Sequence, residues 1–191
     1  IEEADTATAA DASFTAGYGN YLDGNHDAAL EWFLRAEKLY KALGDDARLS
    51  ATYNEMIVFY SKHKKFEAGD SVSIKSIHIA SRIKDTALLA NAHNNRGLLM
   101  LRRGMYDSAL VNLKKAYHLH RYLNDRVGMS YGLDYMASVY AETGEQGKAL
   151  DYLKQSRELK KEANDKMGEA IITNNIGEAL LQQGDHNTAL S

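Results

Sequence analysis

One spacing governs this chain. Turn-type residues recur every 40 positions, at Gly24, Lys64, Gly104, Gly144 and Gly184. Seven residues before each lies Gly17, Ile57, Gly97, Ala137 or Gly177, and five after each lies Ala29, Gly69, Ala109, Ala149 or Ala189. An acidic residue keeps the same register at Asp45, Asp85, Asp125 and Asp165. A chain with small residues at a fixed long period is built from stacked units that bury a face against their neighbours, not from one central core.

Each unit reads as two antiparallel helices. In the third, Leu88, Leu89, Ala92, Leu98, Leu99 and Met100 recur at helical spacing up to Arg103, and Gly104 interrupts them. Tyr106, Ala109, Leu110, Leu113, Ala116, Tyr117 and Leu123 then form a second apolar stripe. The break between the two is short enough only for a tight helical hairpin, with Gly104 suited to a left-handed helix end. Asp125 is placed to cap the following helix, as are Asp45, Asp85 and Asp165 in their units. The spacing predicts helices over 5–22, 26–43, 46–62, 66–83, 86–103, 106–123, 126–143, 146–163 and 166–183, with no strand. Small residues let helices cross closely, so Gly17 with Ala29, Gly97 with Ala109, and Gly177 with Ala189 are expected as contact points within units.

The register resembles the tetratricopeptide repeat. Asn174-Asn175-Ile176-Gly177 followed by Gly184 is similar to that motif's first helix. Gly104 with Tyr106 and Ala109, and Gly144 with Ala149, are similar to the start of its second. The unit is longer than the usual repeat of about 34 residues. It also lacks the usual proline, since the chain has none. The resemblance spans the whole chain. It implies an all-α, right-handed superhelical solenoid of antiparallel helix pairs with about four and a half repeats. The units run over 5–44, 45–84, 85–124, 125–164 and an incomplete 165–191, in a single repeat domain 1–191. The longer variant resembles the repeat regions of bacterial sensor kinases, response-regulator-binding phosphatases and peptide-sensing transcription factors. It also resembles adaptors that orient the mitotic spindle.

The second unit departs most from the pattern. Lys64 replaces glycine, Ile57 replaces a small residue, and Ser71, Ser73 and Ser76 crowd the second helix. Val72, Ile74, Ile77 and Ile79 alternate in part, but Phe66 and Asp85 hold the helical register. The expectation is a degenerate unit with looser packing.

Composition narrows function more than it defines it. Of 191 residues, 45% are hydrophobic and 26% charged, an ordinary balance for a folded domain. No run approaches the ~18 apolar residues of a membrane span. The net charge of −3 mixes both signs, and no Lys/Arg stripe suits a phosphate backbone. No membrane insertion and no nucleic-acid binding by this segment are therefore expected. The absence of cysteine excludes disulfides and thiolate metal sites and is compatible with either side of a membrane-anchored regulator. The seven histidines contain no His-Glu-x-x-His pair, and His118 and His120 point to different faces of one helix. Gly17-Tyr18-Gly19 has no preceding strand or third glycine, so it is a helix contact and not a dinucleotide loop. No nucleophile, base and orienting group can be assembled. The expectation is a non-enzyme without metal or cofactor.

What remains is a binding surface. The resemblance implies that the first helix of each pair lines a concave face. By register that face takes Phe14, Tyr18 and Tyr21; Asn54, Val58 and Lys62; Asn91, Asn94, Asn95, Leu98 and Arg102; Tyr131, Asp134, Tyr135 and Ser138; and Asn174, Asn175 and Glu178. Amide side chains both donate and accept, so they can grip an extended peptide backbone. Exposed aromatics are suited to covering apolar side chains. The Lys/Arg set with which chaperone adaptors of this family hold a terminal carboxylate is missing. The matched positions are Phe14, Tyr18, Glu55, Asn91 and Asn95, or Asn54, Val58, Asn95, Tyr131 and Tyr135. Two functions stay open: a protein- or peptide-binding module in the sensory or regulatory region of a bacterial signalling or transcription-regulating protein, and a scaffold for self-assembly. Ile1 is not an initiator methionine, and Ser191 falls inside what should be a second helix. The natural protein is thus expected to continue, and the face of Ile172, Ile176, Ala179 and Leu180 to be covered or to join a second copy.

The register makes a direct stability prediction. Ala109→Leu should destabilise the protein by about 1–3 kcal/mol through overpacking at a close crossing. Thermal melts are the measurement, and an unchanged midpoint would mean that Ala109 faces elsewhere.

Overall fold

The structure, a computed structural model, describes residues 2–182. Those residues form nine helices and no strand. They are α1 (Glu2–Leu22), α2 (His26–Leu43), α3 (Asp46–Lys62), α4 (Phe66–Arg82), α5 (Thr86–Arg102), α6 (Tyr106–Tyr122), α7 (Arg126–Glu142), α8 (Gln146–Glu162) and α9 (Lys166–Gln182). The helices start and stop within one residue of where the 40-residue register places them, except that α1 begins at Glu2 and not at 5. Gly184 and Ala189 lie outside the described residues, whereas Ile172, Ile176, Ala179 and Leu180, expected as an open end, are buried. Among the described residues, no helix is long and apolar enough to cross a membrane. The chain divides into two compact units, 1–95 and 96–191, with the division inside α5.

The turns are all closed the same way. Gly24, Lys64, Gly104 and Gly144 have positive φ, and so do Gly44, Lys84, Asn124 and Asn164 between them. After each, an amide reaches five residues back. Lys65 N–H bonds Tyr60 O at 2.9 Å, Asp85 N–H bonds Ala80 O at 3.0 Å, and Asp165 N–H bonds Lys160 O at 2.9 Å. This is the Schellman arrangement, which satisfies carbonyls that a helix end leaves free. At the half-period of 20 residues, lysine and asparagine occupy left-handed positions that usually select glycine. At the start of the first helices the acidic register does the expected work. Asp45, Asp85, Asp125 and Asp165 accept from the backbone N–H of Arg48, Leu88, Gly128 and Gly168 at 2.8–3.0 Å.

In the first unit, α1 packs on α2, α3 packs on α4, and α2 also meets α3. Phe33, Tyr40, Tyr53, Met56 and Ile57 fill the interior. Gly17 faces the Phe33 ring so closely that a Cβ would fall 2.8 Å from it. In the second unit, α7 packs on α6 and α8, and α8 packs on α9. Gly97 faces Leu113, where a Cβ would come within 2.5 Å of the side chain. Each glycine thus admits a large residue one turn beyond the expected alanine. Ala29, Ala109 and Ala149 are themselves fully enclosed. Ala137, Leu150, Leu153, Ile172, Ile176, Ala179 and Leu180 form the core around α8 and α9.

A tighter register lies beneath these contacts. Ala10, Ser50, Ala90 and Ser130 on first helices are all completely buried, as are Ala36, Ser76, Ala116 and Ser156 on second helices. Within the units, Ala10 and Ala36, Ser50 and Ser76, and Ser130 and Ser156 stand 26 residues apart. Ser50 and Ser76 touch through their hydroxyls at 3.2 Å, and the Ser156 hydroxyl donates to Ser130 O at 3.3 Å. Only side chains of this size let the two backbones approach so closely. The expected looseness of the 45–84 unit is therefore a point of difference. Ser71 is exposed, but Ser50, Ser73 and Ser76 are enclosed hydrogen-bonding groups, Ile57 is fully buried, and α3 buries ten of its residues.

Lys64 has φ of 56°, a conformation that costs a residue with a Cβ about 1–2 kcal/mol. Lys64→Gly should raise stability by about 1 kcal/mol. A urea midpoint unchanged or lowered by that substitution would contradict the strain.

Candidate functional site

The first helices carry the candidate residues, and the structure treats them unequally. In the 1–95 unit, Phe14 is half-buried with its ring 6.2 Å from Phe33. Tyr18 is exposed, and Tyr21 lies against Phe59 with Lys62 Nζ 5.0 Å from its ring. Asn54 is enclosed. Its Oδ1 accepts from Ser76 Oγ at 2.8 Å, and its Nδ2 donates to Leu88 O at 3.4 Å. Asn95 Nδ2 donates to Asn54 O at 3.1 Å. These two amides join α3 to its neighbours within the unit. Asn91 is exposed, whereas Asn94 is buried with its Oδ1 enclosed and without a hydrogen-bond partner among the described residues. Burial also raises the Glu55 carboxyl above the usual range.

The 96–191 unit brings its candidates together. Tyr131, Asp134, Tyr135 and Ser138 on α7 border a cleft of about 360 Å³ whose far wall is Met167, Ile171, Ile172 and Asn175 on α9. Tyr131, Ile171 and Met167 are 47%, 57% and 77% exposed, so the rim is apolar and open. On the other side of Tyr135 and Ser138 lies a more polar depression of about 580 Å³. It is bounded by Leu98, Arg102 and Arg103 at the end of α5 and by Glu142 on α7. Leu98 is mostly covered, and Arg102 is exposed. Tyr135 thus divides one continuous surface into a cationic end and an apolar end. Burial raises its phenol above the usual value, and the charge of Arg102 opposes that shift. Asn174 is exposed and spends its amide on Glu178 of its own helix at 2.8 Å.

The cleft floor holds a buried charge that the sequence did not reveal. Lys160 on α8 is only 4% exposed. Its Nζ lies 3.2 Å from Asp134 Oδ2, 3.2 Å from Ser130 Oγ and 4.8 Å from the Tyr131 ring centre. Gly168 makes room for it, since a Cβ there would stand 3.0 Å from Lys160 Cδ. Burial raises the Asp134 carboxyl, while the Ser156 hydroxyl and the Lys160 charge hold it down. Lysine belongs to a second helix, so a search confined to first helices passes over it. The available signal was the pairing of Lys160 with Asp134 at positions held by Ala80 and Asn54 two units earlier. Met167 and Ile171 were passed over because apolar residues near a helix start read as core. Among the described residues, no group of three or more metal-ligating side chains gathers.

This ion pair generates a double-variant test. Asp134→Asn leaves the ammonium buried without its counter-charge and should cost about 3–5 kcal/mol. Asp134→Asn combined with Lys160→Ala recreates the Asn54 and Ala80 pair and should recover most of that loss. Urea unfolding checks it; a double variant no more stable than the single one would show that the two charges are not coupled.

No protein-family model matches the sequence, and no curated relative matches it. Solved structures do match. Aspartyl phosphate phosphatase F from Bacillus subtilis superposes with a TM-score of 0.86 at 16% identity, over 99% of this chain and 50% of that one. A Rap protein complexed with competence and sporulation factor gives 0.83 at 13% identity, over 93% of this chain and 50% of that one. A signal-transduction ATPase with numerous domains and a tetratricopeptide repeat sensor, from Pyrococcus horikoshii, gives 0.80 at 16% identity, over 93% of this chain and 27% of that one. The chain spans half or less of the length of each of these proteins. All-helical architecture, the 40-residue register and these superpositions agree, and the chain has the tetratricopeptide-repeat fold.

Proposed function

We propose that this chain is a protein- or peptide-binding repeat module of a signalling regulator, and that the α5–α7–α9 surface of its 96–191 unit receives the ligand. The observation that carries this reading is the open apolar rim of Tyr131, Met167 and Ile171 beside the half-buried Tyr135. Contiguous exposed apolar side chains over a polar floor favour a partner segment. The segment's apolar side chain sits between Tyr131 and Ile171, and its backbone meets Asn175 and Ser138. A few such anchors carry most of the energy of an interface. The Rap structure, solved with competence and sporulation factor, supplies an analogy from a shared fold. The output that binding controls belongs to the longer protein of which such a module forms part. Asn54 and Asn95 take no ligand in this scheme, because their amides serve the packing of the stack.

The test is selection of displayed random peptides on the wild-type protein, with affinities of enriched sequences measured by fluorescence anisotropy. Tyr131→Ala and Ile171→Asp, both at exposed positions, should each weaken binding by roughly tenfold or more with an unchanged circular dichroism spectrum. If wild type enriches no peptide, or if both variants bind the enriched peptides as wild type does, this surface is not the binding site.

A further inference from the structure

A second site, apart from the proposed groove, lies where two hairpin tips of the 1–95 unit meet. His26 opens α2 and His63 ends α3, 37 positions apart in the chain. Their rings are 4.3 Å apart between centres, inclined at 65°. Phe59 covers His63 at 4.5 Å, and Tyr21 closes the cluster at 6.4 Å from His26 and 6.2 Å from Phe59. His26 Nδ1 and His63 Nε2 are enclosed, and among the described residues neither has a hydrogen-bond partner. A buried ring nitrogen without a partner is costly, and coordination to an ion or an ordered water relieves that cost. Two such nitrogens on adjacent rings are what a borderline metal ion takes as ligands.

We propose that His26 and His63 together bind one divalent transition-metal ion of the Ni(II), Cu(II) or Zn(II) class. No third protein ligand gathers there among the described residues, so water that enters with the ion as the enclosing side chains part completes the coordination. Calcium and magnesium are disfavoured, because they require oxygen ligands. Phe59 and Tyr21 wall the site with apolar surface and fix the ring positions. The charges facing His63 are those of His26, Lys62 and Lys65, which resist a further positive charge, and Asp27, which favours one. Lys62 is drawn toward the Tyr21 ring, 5.0 Å from Nζ to its centre. Burial above all, with the neighbouring positive groups, lowers the His63 pKa from its ordinary value and keeps the imidazole in its neutral, ligating form. A bound metal would tie the α1–α2 tip to the α3–α4 tip and stabilise the folded unit by mass action.

The experiment uses the full chain without a histidine tag, titrated with Cu(II) and Ni(II) at neutral pH by calorimetry and electron paramagnetic resonance. The expected result is one equivalent of Cu(II) with hyperfine coupling from imidazole nitrogens. His26→Asn and His63→Asn should each weaken binding by at least the ~10-fold that loss of an outer-shell partner costs. His118→Asn, at an exposed position on α6, should leave it intact. A measurement on wild type covers the case in which a variant unfolds: Ni(II) should shield both His26 and His63 from diethylpyrocarbonate, read by mass spectrometry. Absence of stoichiometric binding, binding undiminished in both variants, or no shielding of either histidine would overturn the proposal.

Discussion

Everything in this fold hangs on how closely the two helices of a pair approach. The side chains at the crossing, at positions such as 10 and 36 or 50 and 76, are alanine or serine and are fully buried. A larger residue there would hold the backbones apart and break the interdigitation that lets Phe33 lie on Gly17 and Leu113 on Gly97. Alanine and serine solve the same problem at different cost. Alanine needs no partner, whereas a buried serine must be satisfied, and in the 45–84 unit Ser50, Ser76 and Asn54 satisfy one another. In the 125–164 unit the same place holds Ser130, Ser156, Asp134 and Lys160, a network that includes charge.

That substitution of charge for amide links packing to the proposed binding surface. Asn54 turns inward and leaves nothing for a ligand, while Asp134 borders the cleft with its Oδ2 on Lys160. An ammonium buried among a carboxylate, a hydroxyl and a ring face fixes the Tyr131 side chain from below without consuming its outer face. The result is a firm polar floor under an open apolar rim. A site on rigid helices positions its groups more closely than one on loops.

Much of the fold was legible because backbone demands leave compositional traces. Glycine at 24, 104 and 144 marked left-handed turns, and aspartate at 45, 85, 125 and 165 marked helix starts. Where another residue tolerates the same conformation, as at Lys84, Asn124 and Asn164, the aspartate that follows and not a glycine marked the turn. The surface was harder to read. Register assigns a residue to a helix face but does not say whether a neighbour has already claimed its polar atoms. Asn54, Asn91, Asn94 and Asn95 look alike in sequence, and only Asn91 is left exposed. Serine in α4 suggested looseness because hydroxyls are seldom buried, yet Ser73 and Ser76 are buried, with Ser73 bonded to Asp70 O and Ser76 to Ser50 of α3.

The glycines at 128 and 168 carry a consequence for how such chains diversify. A Cβ on Gly128 would stand 2.1 Å from His120 Nδ1, and Gly168 lies under the Lys160 side chain. Each bulky residue near the end of one unit is thus matched to a missing side chain at the start of the next. Cutting the chain at the boundary between units would separate lock from key, whereas cutting at the turn inside a unit keeps them together. The segment that can be duplicated, shuffled or transplanted without repair is therefore a second helix joined to the first helix that follows it. The sequence repeat and the heritable module are offset by half a period.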